Sequence, residues 1–107
     1  MSFIRPGELV LQLIKNLEHA GIKTVYLRNY ENLPDDIGND VDLLVARNMR
    51  GRAVELIRNA LPGTGWELIR EVEFGPISLF LASSDGSQFM HLDIFDRIEW
   101  HWLEYAD

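Results

Sequence analysis

One run constrains the fold of this chain more than any other, Asp40-Val41-Asp42-Leu43-Leu44-Val45. Carboxylates and apolar side chains alternate at its start. In a strand, successive side chains point to opposite faces, so Asp40 and Asp42 share a face, with Cα atoms roughly 7 Å apart. Val41 and Leu43 then point the other way, towards a core. Carboxylates are costly to hold in apolar surroundings unless something pairs with them. A divalent cation bound to a phosphate ligand is one such partner. A third acid stands in a similar setting, His91-Leu92-Asp93-Ile94-Phe95. Leu92 and Ile94 face away from it.

The rest of the chain supplies the layers around these strands. Val10, Leu13, Ile14 and Leu17 recur at i, i+3, i+4 and i+7, with Pro6 near the start and Gly21 as a stop, which predicts an amphipathic helix over 7–20. Thr24-Val25-Tyr26-Leu27 is a short β-rich run. Residues 29–39 carry Asn, Pro, Asp and Gly and read as a loop or a broken helical turn. Asp40–Ala46 is the next strand. Met49, Ala53, Leu56, Ile57 and Ala60 form a second helical face, closed by Pro62-Gly63. Three further strands follow over Trp66–Phe74, Ile77–Ala82 and Phe89–Phe95, the last two joined by a turn at Asp85-Gly86. Ile98, Trp102 and Tyr105 stand at helical spacing near the end. The order predicts an α+β two-layer domain, a mixed sheet with helices packed on one side.

A length of 107 residues fits a single domain with one core. There is no cysteine, which excludes a disulfide framework and a thiolate metal site. The formal net charge of −7 argues against a nucleic-acid surface, which needs a basic face, but leaves nucleotides open because a metal supplies positive charge locally. No apolar run approaches the roughly 20 residues of a membrane span, and the first residues lack the apolar stretch of a secretion signal. A cytoplasmic address is the expectation. The aromatic helix at the end predicts either packing on the domain or a partner, or a chain that is the N-terminal part of a longer protein, and the second is the preferred reading.

Two-metal phosphoryl or nucleotidyl transfer needs acidic oxygens converging on cations about 3.5–4 Å apart. Magnesium and manganese prefer hard oxygen donors and retain waters, so two or three carboxylates plus substrate phosphates suffice. Asp40 and Asp42 supply two ligands from one rigid strand, and Asp93 from a neighbouring strand completes the set. The competing reading of these acids is structural: a solvated strand end, with Asp40 capping the preceding loop and Asp93 paired to Arg97. An EF-hand beginning at Asp36 is excluded, because Val41 falls where glycine is required and Asn39–Asn48 contains no closing glutamate. A Gly-rich phosphate loop is absent, and no serine has the sequence context of a Ser-His-Asp site. His91 shares a face with Asp93 and is expected as a hydrogen-bonded strand residue, with a metal or substrate contact as the alternative. The tryptophans are expected as packing anchors.

With these residues in place, the chain resembles the nucleotidyltransferase superfamily typified by polymerase β and the small bacterial nucleotidyltransferases. That family carries an apolar residue before Gly-Gly or Gly-Ser, about ten residues, an apolar-flanked Asp-x-Asp, and a third acid on a later strand. Here Leu27-Arg28-Asn29 stands at the glycine position, Asp40-Val41-Asp42-Leu43 matches the acidic pair, and Asp93 stands where the third acid belongs. The resemblance covers residues 8–96 and also points to a divergent, largely uncharacterised branch, some of whose members resemble parts of sugar or polysaccharide biosynthesis systems. It implies a Mg²⁺- or Mn²⁺-dependent enzyme that moves a nucleoside monophosphate from an NTP to an acceptor, whether small molecule, sugar or protein. Asp40, Asp42 and Asp93 would be metal ligands and catalytic, with Arg28 and Asn29 on phosphate. The departure lies at the glycines. Arg28-Asn29 lacks their backbone freedom, although asparagine tolerates left-handed geometry and a guanidinium grips phosphate bidentately. A catalytically inactive docking module of the same fold is therefore the second reading, and a metal-dependent nuclease the third. The short length also predicts a second domain or a homo-oligomer.

Overall fold

In the computed structural model of the chain, residues 3–27, 40–73 and 75–97 are described. Among them are helix α1 (Pro6–His19), strands β1 (Thr24–Tyr26) and β2 (Asp40–Val45), helix α2 (Arg50–Ala60), and strands β3 (Trp66–Glu73), β4 (Ile77–Ser83) and β5 (Phe89–Phe95). These match the sequence-predicted elements to within a residue or two. The predicted loop at 29–39 and the aromatic helix around Ile98, Trp102 and Tyr105 lie outside the described residues.

α1 starts at Pro6, whose missing N–H costs nothing in the first turn. It stops in a Schellman arrangement. The Ile22 N–H reaches back to the Leu17 carbonyl at 2.9 Å and the Gly21 N–H to the Glu18 carbonyl at 2.9 Å. Gly21 makes this possible with φ +84°. The buried face of α1 is Leu9, Val10, Leu13 and Leu17, and that of α2 is Ala53, Val54 and Ile57.

The five strands form one mixed sheet in the order β1-β2-β5-β4-β3. β2 and β5 run parallel at its centre, and the other neighbours are antiparallel. Both helices pack on one face. There Val41, Leu43 and Val45 of β2 join Ile77, Leu79 and Leu81 of β4 and Met90, Leu92 and Ile94 of β5 in a single apolar core. Trp66 is a packing anchor, as expected. It is buried, its Nε1–H donates to the Ile4 carbonyl at 2.8 Å, and Phe3 meets its ring edge-on at 5.7 Å. No described helix is long and apolar enough to cross a membrane.

No described element covers the other face of the sheet. Alternation places Asp40, Asp42 and Leu44 of β2 there, with His91, Asp93 and Phe95 of β5 and Ser78 and Phe80 of β4.

Candidate functional site

The open face is ordered by register. One cross-strand row runs Asp40 on β2, His91 on β5, Phe80 on β4 and Arg70 on β3. The next row runs Asp42, Asp93, Ser78 and Val72 over the same four strands. Residues directly opposite one another on neighbouring strands share a face, with side chains about 5 Å apart. Asp42 and Asp93, 51 positions apart in the chain, are therefore immediate neighbours, and Asp40 stands one row away on the same face.

The three acids sit in different surroundings. Asp40 opens β2 with its side chain exposed, whereas Asp42 is buried at 4% exposure. Asp93 is intermediate, and its Oδ1 takes two contacts. The Ser78 hydroxyl donates to it at 2.5 Å, and His91 Nε2 lies 2.8 Å away. That second contact is an ion-pair distance in which the carboxylate lies off the ring N–H direction, so Nε2 makes no aligned hydrogen bond. On its other side, His91 Nδ1 is 3.4 Å from Asp40 Oδ1. The imidazole also stacks on Phe80, with centroids 4.4 Å apart and planes at 15°. His91 thus stands between two of the three acids. When protonated it offsets part of their mutual repulsion.

His91 shares a face with Asp93, as expected, but the expected hydrogen bond is not made at Nε2, which lies 2.8 Å from the Asp93 carboxylate with no hydrogen-bond partner. The alternative pairing of Asp93 with Arg97 does not occur. Arg97 Nε lies 3.7 Å from Asp96 Oδ1 instead. Arg28 and Asn29, the expected phosphate contacts, lie outside the described residues. Among the described residues, no three His, Asp or Glu side chains converge as a ready metal centre. The register gathers the acids onto one face, while the side chains of Asp40 and Asp93 are drawn to His91.

Two residues escaped the sequence reading. Ser78 faces Asp93 and fixes its carboxylate. The signal was available, because Ser78 alternates with buried Ile77 and Leu79, and the Asp85-Gly86 turn sets which residues pair across the hairpin. Ser78, Asp93 and His91 do come together, but in the wrong order for a serine nucleophile. The hydroxyl donates to the aspartate and not to the imidazole. The second is Asp96, buried just past β5. It accepts the Asn48 N–H at 3.0 Å and lies 3.5 Å from Arg50 Nε. Nothing in its local sequence separates it from a solvated strand end.

No protein-family model matches the chain. No curated protein matches it either. Among solved structures, the crystal structure of JHP933 from Helicobacter pylori is similar, with a TM-score of 0.58 at 18% sequence identity over 90% of this chain. The matched region is 46% of that protein, so this chain spans just under half its length. At that identity the likeness is one of fold.

Proposed function

We propose that the open face is the site of a divalent-cation-dependent nucleotidyltransferase, with Asp40, Asp42 and Asp93 as its acidic residues. The observation that carries this reading is the pairing of Asp42 with Asp93 on the two central parallel strands, with Asp40 on the same face. Three carboxylates on one face of the sheet are a donor set whose chemistry fits a hard cation such as Mg²⁺ or Mn²⁺. Asp42 and Asp93 would hold the ion, and Asp40 would join them once released from His91. The bound ion would neutralise charge on the triphosphate.

The chain's own residues then have separate tasks. Ser78 and His91 both engage Asp93 Oδ1, which leaves Oδ2 with no protein partner among the described residues. In this reading Oδ2 would orient an acceptor hydroxyl and, as a weak base, take its proton. The acceptor oxygen forms a bond to the α-phosphorus as the bond to the bridging oxygen breaks, and pyrophosphate leaves with that electron pair. The NTP is one substrate, and the acceptor is a small molecule, a sugar or a protein.

Thermal unfolding with Mn²⁺ and an NTP tests the site. A ligand present at 100 times its Kd stabilises the native state by about 2.7 kcal/mol, which raises Tm by roughly 10 °C in a domain of this size. The wild type is expected to show this shift and Asp42→Asn to lose it while keeping its fold. Equal responses from the two proteins would remove Asp42 from the site. A second reading, a non-catalytic binding module of the same fold, draws support from His91, whose ring nitrogens lie against Asp40 at 3.4 Å and Asp93 at 2.8 Å and so occupy space between two of the acids. That reading expects no metal response from either protein and no labelled product from NTP.

A further inference from the structure

Beside the acids, the same face carries an apolar recess of about 140 Å³. Its walls are Ile69 on β3, Phe80 on β4, and Phe89 and His91 on β5. Two of these are conspicuously out of place for a solvated surface, since Phe89 is 65% exposed and Ile69 62%. Ile69 owes its position to a register shift between Leu68 and Arg70, where β3 holds one more residue than β4 opposite. Arg70 then stands level with Phe80 at the far end of the row that contains His91 and Asp40, exposed and with no ion-pair partner among the described residues. The face therefore passes from carboxylates, through a stacked His–Phe pair, to an apolar slot with a cation at its rim.

We propose that this recess binds the flat heteroaromatic base of the nucleotide whose phosphates lie at the acid rows, an inference that rests on the nucleotidyltransferase reading. Three features select that occupant. The slot is aromatic-walled and the size of a single small ring system, which suits stacking better than the burial of a protein segment. It lies two strands from Asp40, about 10 Å across the sheet, the separation a ribose bridges between a base and its phosphates. Arg70 at the rim offers guanidinium N–H donors to the carbonyl and ring-nitrogen acceptors on the edge of such a base.

Nucleosides, which carry no phosphate and need no metal, separate this inference from the catalytic one. Backbone amide shifts of the full chain are followed while adenosine, guanosine, cytidine and uridine are each titrated in. Saturable shifts are expected for at least one nucleoside at Ile69, Arg70, Phe80, Phe89 and His91. Phe89→Ala, at an exposed position where the fold does not depend on the ring, is expected to weaken binding about tenfold. Val25→Ala, an exposed apolar residue of the edge strand β1, is expected to leave it unchanged. No saturation by any nucleoside, or equal weakening by both variants, overturns the proposal. So does a wild type that sediments as a dimer and becomes monomeric with Phe89→Ala, because the patch is then a protein interface. If nucleosides bind as described while Mn²⁺ and NTP produce no Asp42-dependent shift, the recess stands and the catalytic reading falls. The reverse result leaves the acids and removes the recess.

Discussion

Asp85 shows how much one side chain can fix locally. Its Oδ1 accepts the Ser87 hydroxyl at 2.6 Å, the Ser83 hydroxyl at 2.8 Å and the Ser87 N–H at 2.9 Å. The Ser87 hydroxyl, followed by the Ser87 N–H and the Ser83 hydroxyl, holds the carboxyl below its ordinary pKa. A carboxylate with a lowered native pKa contributes stability above its unfolded pKa, and that contribution disappears as pH falls through the native value. The advantage of the wild type over Asp85→Ala should therefore be constant near neutrality and shrink below about pH 4, near the unperturbed aspartate value. Urea midpoints of both proteins from pH 7 to pH 2 measure it. An advantage that persists unchanged at the acid end would show that the ionised carboxylate is not what stabilises the turn. Asp85 was legible in the sequence as a turn residue. Its serine partners were not, because side-chain hydroxyls announce no direction.

At the scale of elements, the β4–β5 hairpin carries most of what could be read in advance. The pairs Ser78 with Asp93 and Phe80 with His91 are symmetric about Asp85 and Gly86, so a correctly placed turn fixes half of the open face. Gly86 makes the turn with φ +75°, and its N–H closes on the Ser83 carbonyl at 2.9 Å. A Cβ added there would meet nothing within 4 Å, so the cost of substitution is conformational rather than steric crowding from neighbours. Gly86→Val should destabilise by about 1–2 kcal/mol and Gly86→Asn by less, because asparagine visits the left-handed region more readily. Urea denaturation of the two variants gives the order. Equal costs would place the penalty outside the backbone angle. The bulge in β3 was not legible. Its sequence Leu68-Ile69-Arg70 reads as ordinary alternation slipping by one residue, and only pairing with β4 shows which residue is extra.

At the scale of the whole molecule, the adjacency of β2 and β5 creates the acid pair, and local pattern does not contain it. The two strands are separated by α2, β3 and β4. Both read as apolar strands interrupted by aspartate, which marked each as half-buried without saying that they pair. Parallel pairing across so long a connection is decided by the common core under Val41, Leu43, Leu92 and Ile94. Asp96 then ties the central strands to α2. It follows β5 directly, accepts the N–H of Asn48 in the loop after β2, and faces Arg50, the first residue of α2. Asn48 holds φ +65°, a conformation that costs energy for most residues, and this bond is one restraint that keeps it there. Arg50 extends the tie by donating to the Gly75 carbonyl between β3 and β4. Removing the Asp96 carboxylate leaves a backbone donor without its acceptor and a partly buried guanidinium with only the exposed Glu73, 3.7 Å away, as counter-charge. Asp96→Ala should therefore cost about 1–3 kcal/mol, well above the roughly 0.5 kcal/mol typical of surface substitutions. Asp96→Asn, which retains an acceptor oxygen for Asn48, should fall between the two. The m-value should stay constant across the series, because the same surface is exposed on unfolding. If Asp96→Ala proves neutral, the ends of the central strands are held by the apolar core alone, and the acid pair owes its geometry to Leu43 and Ile94 rather than to this polar clamp.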